Sequence, residues 1–198
     1  DVLGVAWLRI AAAALVFALW RRPWAALRNR LVIAWGVVLA LMNCSFYLAI
    51  DRLPLGTVAA IEFLPVIALA ALGARTPRNL AALLLAVPGV YLLTGVQLEG
   101  APLGVALAFV NAALFALYIV LAHRIAQSGE FDGVDGLAAS MLIAFVAVTP
   151  MAGWAAVPAI TDPVALAAGI GVGISSSVIP YVSDQLAMRR LARATYAL

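Results

Sequence analysis

The sequence predicts an all-α protein that crosses a membrane many times. Three observations carry this. Of its 198 residues, 66% are hydrophobic and 11% charged, whereas a soluble domain needs about a quarter of its residues charged to cover its surface. Mean hydropathy is +1.11. The apolar residues fall in unbroken runs of roughly 20, the length a helix needs to cross a hydrocarbon core about 30 Å thick. A β-barrel, the other structure that satisfies its backbone in lipid, would show short alternating segments instead.

In chain order the runs occupy about 2–20, 31–50, 55–73, 79–98, 102–122, 136–157 and 164–187, and an eighth begins near Ala194. Runs four, five and six contain no charged residue. All 12 basic residues are arginine, and their distribution fixes orientation through the positive-inside rule. Arg21, Arg22, Arg28 and Arg30 follow run one; Arg75 and Arg78 follow run three; Arg124 follows run five; Arg189, Arg190 and Arg193 follow run seven. The opposite-side loops hold only Arg52. The first run therefore passes from outside to inside.

Several function classes drop out on the same reading. The pI near 9.5 comes from scattered loop arginines rather than a basic face, so nucleic-acid binding is not expected. Cys44 is alone within an apolar run and forms neither a disulfide nor a metal-ligand pattern. With one histidine, His123, at a helix end, no nucleophile–base pair or metal set presents itself, and neither an enzyme nor a cofactor or metal protein is expected. GIGVG (169–173) lacks a preceding strand and reads as close helix packing through Gly169 and Gly173. FDGVDG (131–136) lacks the length and ligands of a calcium loop and reads as a polar turn.

The informative residues are the polar ones inside the runs, because ionisable groups at membrane depth are costly. Arg9 lies 13 residues before Arg22, Asn43 13 after Arg30, Glu62 13 before Arg75 and Asn111 13 before Arg124. At 1.5 Å per residue each sits roughly 20 Å from the inner boundary, in one layer. Counting 13 back from Arg189 reaches Ser176. These five are the candidate substrate-binding residues. Arginine can hold a carboxylate bidentately, glutamate an ammonium, and the asparagines a hydroxyl, which together suit an amino acid. The alternative is a permanent Arg9–Glu62 ion pair that only tightens the bundle. Glu62 is also the candidate proton carrier, since burial disfavours its charge and a nearby Arg9 favours it. Pro65 and Pro180 remove the helical partners of the Ile61 and Ser176 carbonyls, predicting helix breaks in the same layer. Asp184 and Gln185, a turn before Arg189, read either as an interfacial acid pairing with Arg189 or Arg190 or as an inner gate. A channel would carry a polar face along several spans rather than one layer.

YLAIDRLPLGTVAA (47–60) and QLAMRRLARATYAL (185–198) match at six of fourteen positions, at an offset of 138. Five spans separate them, so the copies have opposite orientation, as in inverted-repeat transporters. Five spans per unit predict a ten-helix protein, with 1–98 in the first unit and 99–198 in the second. The chain starts at Asp1 and stops within ATYAL. It is expected to be part of a longer protein, with about seven complete spans and without the first span, most of the ninth and the tenth.

NCSFYLAIDRLPLGTVAAIEFLPVIALAALGARTPRNL (43–80) and AAGIGVGISSSVIPYVSDQLAMRRLARATYAL (167–198) resemble the EamA-domain branch of the drug/metabolite transporter superfamily, and within it the threonine/homoserine exporter subgroup. The subgroup carries a glycine between the Leu and Pro of this stretch, whereas here Leu64 meets Pro65 directly. The resemblance implies a ten-helix carrier of the bacterial inner membrane that exports small amino acids by proton antiport. Its partners would be the amino acid, protons and the lipid bilayer, and a homodimer is left open. The alternatives are export of another small metabolite or drug, or a membrane subunit that transports nothing.

Overall fold

In lipid every backbone polar group must be satisfied internally, and apolar side chains face outward. The structure, a computed structural model, follows that rule. It describes residues 2–73 and 102–190, with positions 77, 80–81, 84–85, 88–89 and 92 between them. Among the described residues the secondary structure is helical, with no strand. Leu19, Val146 and Val164 are about three-quarters exposed, at 73%, 69% and 77%, while Asn43, Asn111, Ser140 and Gln185 are buried. Among the described residues five helical stretches are long and apolar enough to cross a membrane. The protein is therefore a polytopic membrane protein.

Helix α1 spans Val2–Arg21. A 3-10 turn at Ala26–Arg28 leads into α2, Arg30–Ile50. There the Asn29 side chain caps the helix by accepting from the Leu31 N–H at 2.8 Å. Helix α3 spans Leu55–Gly73, α4 Pro102–Ser128 and α5 Gly133–Ala152. A short α6, Val157–Thr161, precedes α7, Pro163–Gly173. A π turn at Ile174–Val178 joins α7 to α8, Ile179–Arg190. Predicted runs one, two, three, five and seven coincide with helices. Most of run four, the run from Ala194, Arg75, Arg78, Arg193 and the predicted boundary at 98/99 lie outside the described residues.

Three expectations are corrected. Run six does not reach 157: α5 ends at Ala152, and Gly153 and the 3-10 turn Trp154–Ala156 turn the chain into α6. FDGVDG is not a turn alone. Asp132 accepts from the Val134 N–H at 3.0 Å and starts α5 at Gly133, because a carboxylate satisfies the orphan donors of a first turn. Pro65 does not break α3, which continues through it to Gly73.

Pro180 does coincide with an irregularity. The Ile179 N–H bonds to the Ile174 carbonyl, five residues back, and the wider π turn sits immediately ahead of a residue that lacks an N–H and crowds the carbonyl four before it.

The helices interleave: α2 packs along α4 and α5, α1 along α5 and α7, and α3 along α4. Close approach needs small residues. A Cβ on Gly36 of α2 would lie 2.6 Å from Ile143 Cβ and 2.8 Å from the Ser140 carbonyl on α5. Gly169 and Gly173 of α7 pack on Leu8 and Ala12 of α1, as their spacing suggested. Trp35, Tyr118, Phe17 and Leu39 fill the centre of the main apolar cluster.

The ends of α1, α4 and α8 meet at one face, as the alternating arginines require. Arg21 donates to Asp135 at 2.7 Å and Asp132 at 3.1 Å, and Arg189 to Asp132 at 3.3 Å. Gln127 of α4 donates to the Met188 carbonyl at 2.7 Å. Asp132 thus has two duties, helix cap and ion-pair partner. Asp132→Ala removes both and is expected to lower stability by about 1 kcal/mol or a little more, mostly through the cap, since half-exposed ion pairs contribute less. Asp132→Asn keeps the cap and should lose less than half as much. Thermal unfolding in detergent checks this, and equal losses for the two variants would assign the effect to charge.

Candidate functional site

Two opposite charges face a single cavity of about 210 Å³ in the middle of the bundle. Its polar lining comes from four helices: Arg9 on α1, Asn43 on α2, Glu62 on α3 and Asn111 on α4. The structure thus brings together four of the five residues that the depth count places in one layer. Helical rise explains this: equal distance from a common boundary places side chains of different helices at one level.

Each charge is held by an asparagine of the next helix. The Arg9 guanidinium donates through Nη2 to Asn43 Oδ1. Asn43 in turn donates through Nδ2 to the Leu39 carbonyl at 2.9 Å, which fixes its amide. The Tyr47 ring lies 5.3 Å from the Arg9 guanidinium carbon and adds a cation–π contact. Across the cavity Asn111 Nδ2 donates to Glu62 Oε1 at 3.1 Å. Arg9 and Glu62 are not ion-paired. The ion pairs among the described residues, Arg21–Asp132, Arg21–Asp135, Arg52–Asp51 and Arg189–Asp132, all lie at helix ends.

Two buried polar atoms in this lining lack a hydrogen-bond partner among the described residues, Arg9 Nε and Asn111 Oδ1. One is a donor and the other an acceptor. Native proteins satisfy such groups almost without exception, so these two are a donor and an acceptor left over on residues beside the cavity.

Aromatic side chains close the cavity: Phe46, Phe63, Phe115 and Tyr181. Sequence reasoning did not single these out. Phe46 is three residues after Asn43 and Phe115 four after Asn111, so the i, i+3 and i, i+4 rule puts each on its asparagine's face. Tyr181 had no such signal. It reaches the site on α8, directly after the π turn, and its ring packs at a tilt of 40° on Tyr118 of α4, with centroids 5.7 Å apart.

The remaining predicted residues lie elsewhere. Ser176 is half-buried and does not line the cavity; its hydroxyl donates to the Val172 carbonyl at 2.6 Å, while its neighbour Ser177 is buried. The turn does touch the site's frame: a Cβ on Gly173 would meet the Arg9 carbonyl at 2.9 Å. Gln185 is buried, with Nε2 on Met188 Sδ at 3.8 Å, and a Cβ on Gly133 would lie 2.9 Å from its Oε1. Asp184 is half-buried one turn beyond Tyr181. Cys44 is a buried member of the main apolar cluster.

Comparison with known proteins agrees with a transporter rather than an enzyme. The chain is 32% identical over 200 residues to the threonine/homoserine exporter RhtA of Escherichia coli (strain K12). The match to the RhtA proteins of Salmonella typhimurium (strain LT2) and Escherichia coli O157:H7 is the same. In each case the match covers 98% of this chain and 67% of the relative. No family model and no solved structure matches the chain. A polytopic helical bundle, a central cavity with separated charges, and this identity over nearly its whole length lead to one conclusion: the chain belongs to the family of the threonine/homoserine exporter RhtA.

Proposed function

We propose that the protein is a secondary transporter of the bacterial inner membrane that exports small amino acids of the threonine and homoserine kind in exchange for protons. The observation that carries this reading is the pair of charges held apart in one cavity. Buried charges normally pair with each other, because an isolated charge in low dielectric is costly. Here each is held by an asparagine instead, and the residues beside the space between them carry an unpartnered donor, Arg9 Nε, and an unpartnered acceptor, Asn111 Oδ1. A zwitterion supplies what both ends lack. Its carboxylate meets the Arg9 guanidinium, its ammonium meets Glu62, and a side-chain hydroxyl donates to Asn111 Oδ1. The volume suits a small solute, being below the roughly 300–1,000 Å³ of drug-sized sites.

Asn43 acts mainly as a positioning residue, since its amide is committed to Arg9 and Leu39. Glu62 carries a proton inward and gives it up as the substrate ammonium arrives, which couples the two fluxes. The π turn around Ser176, just ahead of Pro180, is the flexible joint of the last described span, and Asp184 and Gln185 form the inner gate beside Gly133. The two halves of the chain are units of an inverted repeat in a ten-helix carrier. A second reading, export of another small metabolite or drug, is favoured by the aromatic walls Phe46, Phe63 and Phe115. A panel of labelled solutes separates the two.

Arg9→Gln and Glu62→Gln should each lower threonine and homoserine export by roughly 10- to 100-fold, the worth of a hydrogen bond to a charged group, with normal amounts of protein in the membrane. Near-normal export by both variants would assign the two charges to packing. Vesicles holding a pH gradient give an independent check. Substrate should dissipate the gradient through the wild-type protein and not through Glu62→Gln; dissipation that survives the substitution would move the proton to another group.

A further inference from the structure

A second cavity lies apart from the central one. It is an open groove of about 410 Å³ on the outer side of α5, lined by Trp24, Leu27, Leu142, Ile143, Val146 and Ala147. The lining is apolar, and Trp24 and Val146 are 60% and 69% exposed. Leu142 stands nine residues from the start of α5 at Gly133, about 14 Å along the helix. The groove therefore lies at acyl-chain depth in the half of the bilayer nearest the arginine-rich face.

The wall formed by Trp24 and Leu27 belongs to the connection between α1 and α2, which also carries Arg22 and Arg28. Both are exposed, and neither has an ion-pair partner among the described residues. Their neighbours at this face differ: Arg21 is neutralised by Asp132 and Asp135, and Arg189 by Asp132. Glu130 bonds to Asn29 of the connection at 2.7 Å, and Asp132 and Asp135 are already taken up by Arg21 and Arg189, which leaves one negative charge against Arg22, Arg28 and Arg30. Arg22 is also held at a φ of +49°, in the left-handed region a non-glycine residue rarely adopts, with the Trp24 N–H donating to its carbonyl at 2.8 Å. That turn ends α1 and starts the segment that bears both the apolar wall and the cations.

We infer that this groove binds an anionic phospholipid of the inner leaflet, with one acyl chain against Trp24, Leu142 and Val146 and the phosphate between Arg22 and Arg28. Charge selects the headgroup, and the groove selects a chain rather than a soluble anion. A basic side chain near an anionic membrane surface is worth about a fivefold preference. Purified protein is reconstituted in phosphatidylcholine containing traces of either phosphatidylglycerol or phosphatidylcholine with brominated acyl chains. The Trp24 signal is the fluorescence lost in Trp24→Phe. Brominated phosphatidylglycerol should quench it at roughly fivefold lower mole fraction than brominated phosphatidylcholine. The preference should vanish in the Arg22→Gln, Arg28→Gln double variant and survive in Arg124→Gln. Equal quenching by the two lipids, a preference kept in the double variant, or one lost equally in Arg124→Gln would overturn the assignment. So would protection of Trp24 from both lipids that grows with protein density, which would place a second copy of the chain in the groove.

Discussion

Everything in the centre of this bundle is arranged around two buried charges that do not touch. Arg9 and Glu62 face one cavity from α1 and α3, and each is held by an asparagine of an adjacent helix. In low dielectric this arrangement is metastable compared with a direct ion pair, because a separated pair gives up mutual attraction that water cannot replace. It persists only if the helices hold the side chains apart. The Leu39 carbonyl fixes Asn43, the Tyr47 ring supports the guanidinium, and the aromatic walls limit how far either charge can move.

That demand explains the close packing around α1. The small residues Gly169 and Gly173 bring α7 onto α1 at Leu8, Ala12 and the Arg9 backbone, so the level of Arg9 is set by helix contact rather than by its own side chain. The π turn that follows has a related effect. It absorbs the missing donor of Pro180 without ending the span, and Tyr181 just beyond it lines the cavity while Ser176 does not. At the arginine-rich face, Asp132 and Asp135 gather α1 and α8 onto the start of α5. The centre is thus left to separated charges, and the paired charges sit at the ends, where water lowers their cost.

Much of this was legible before any coordinates. Unbroken apolar runs gave helices, and the alternating arginines gave a common face, because both reflect the transfer of single residues between water and hydrocarbon. Equal spacing from those arginines also placed Arg9, Asn43, Glu62 and Asn111 at one level. Three readings differ from the fold. Ser176 was assigned by depth, yet depth says nothing of the direction a side chain takes around its helix. Pro65 was assigned a break that α3 does not show. FDGVDG reads as a polar turn in the sequence because it lacks the length and ligands of a calcium loop. In the fold Asp132 caps a helix, and Gly133 and Gly136 admit Gln185, Ile125 and Phe131.

The sequence by itself determined that the chain lives in a membrane, that the basic ends of its spans share a face and that four of its polar groups share a level. These follow from composition and position along a helix, which are one-dimensional quantities. Only the tertiary structure decided that Arg9 and Glu62 face the same cavity without pairing, that asparagines rather than opposite charges hold them, and that Tyr181 joins them in place of Ser176. Those outcomes depend on rotation of each helix about its axis and on which neighbour lies within about 3 Å, the reach of a hydrogen bond. Rotation and neighbours are set by packing of side chains far apart in the chain, which no local pattern encodes.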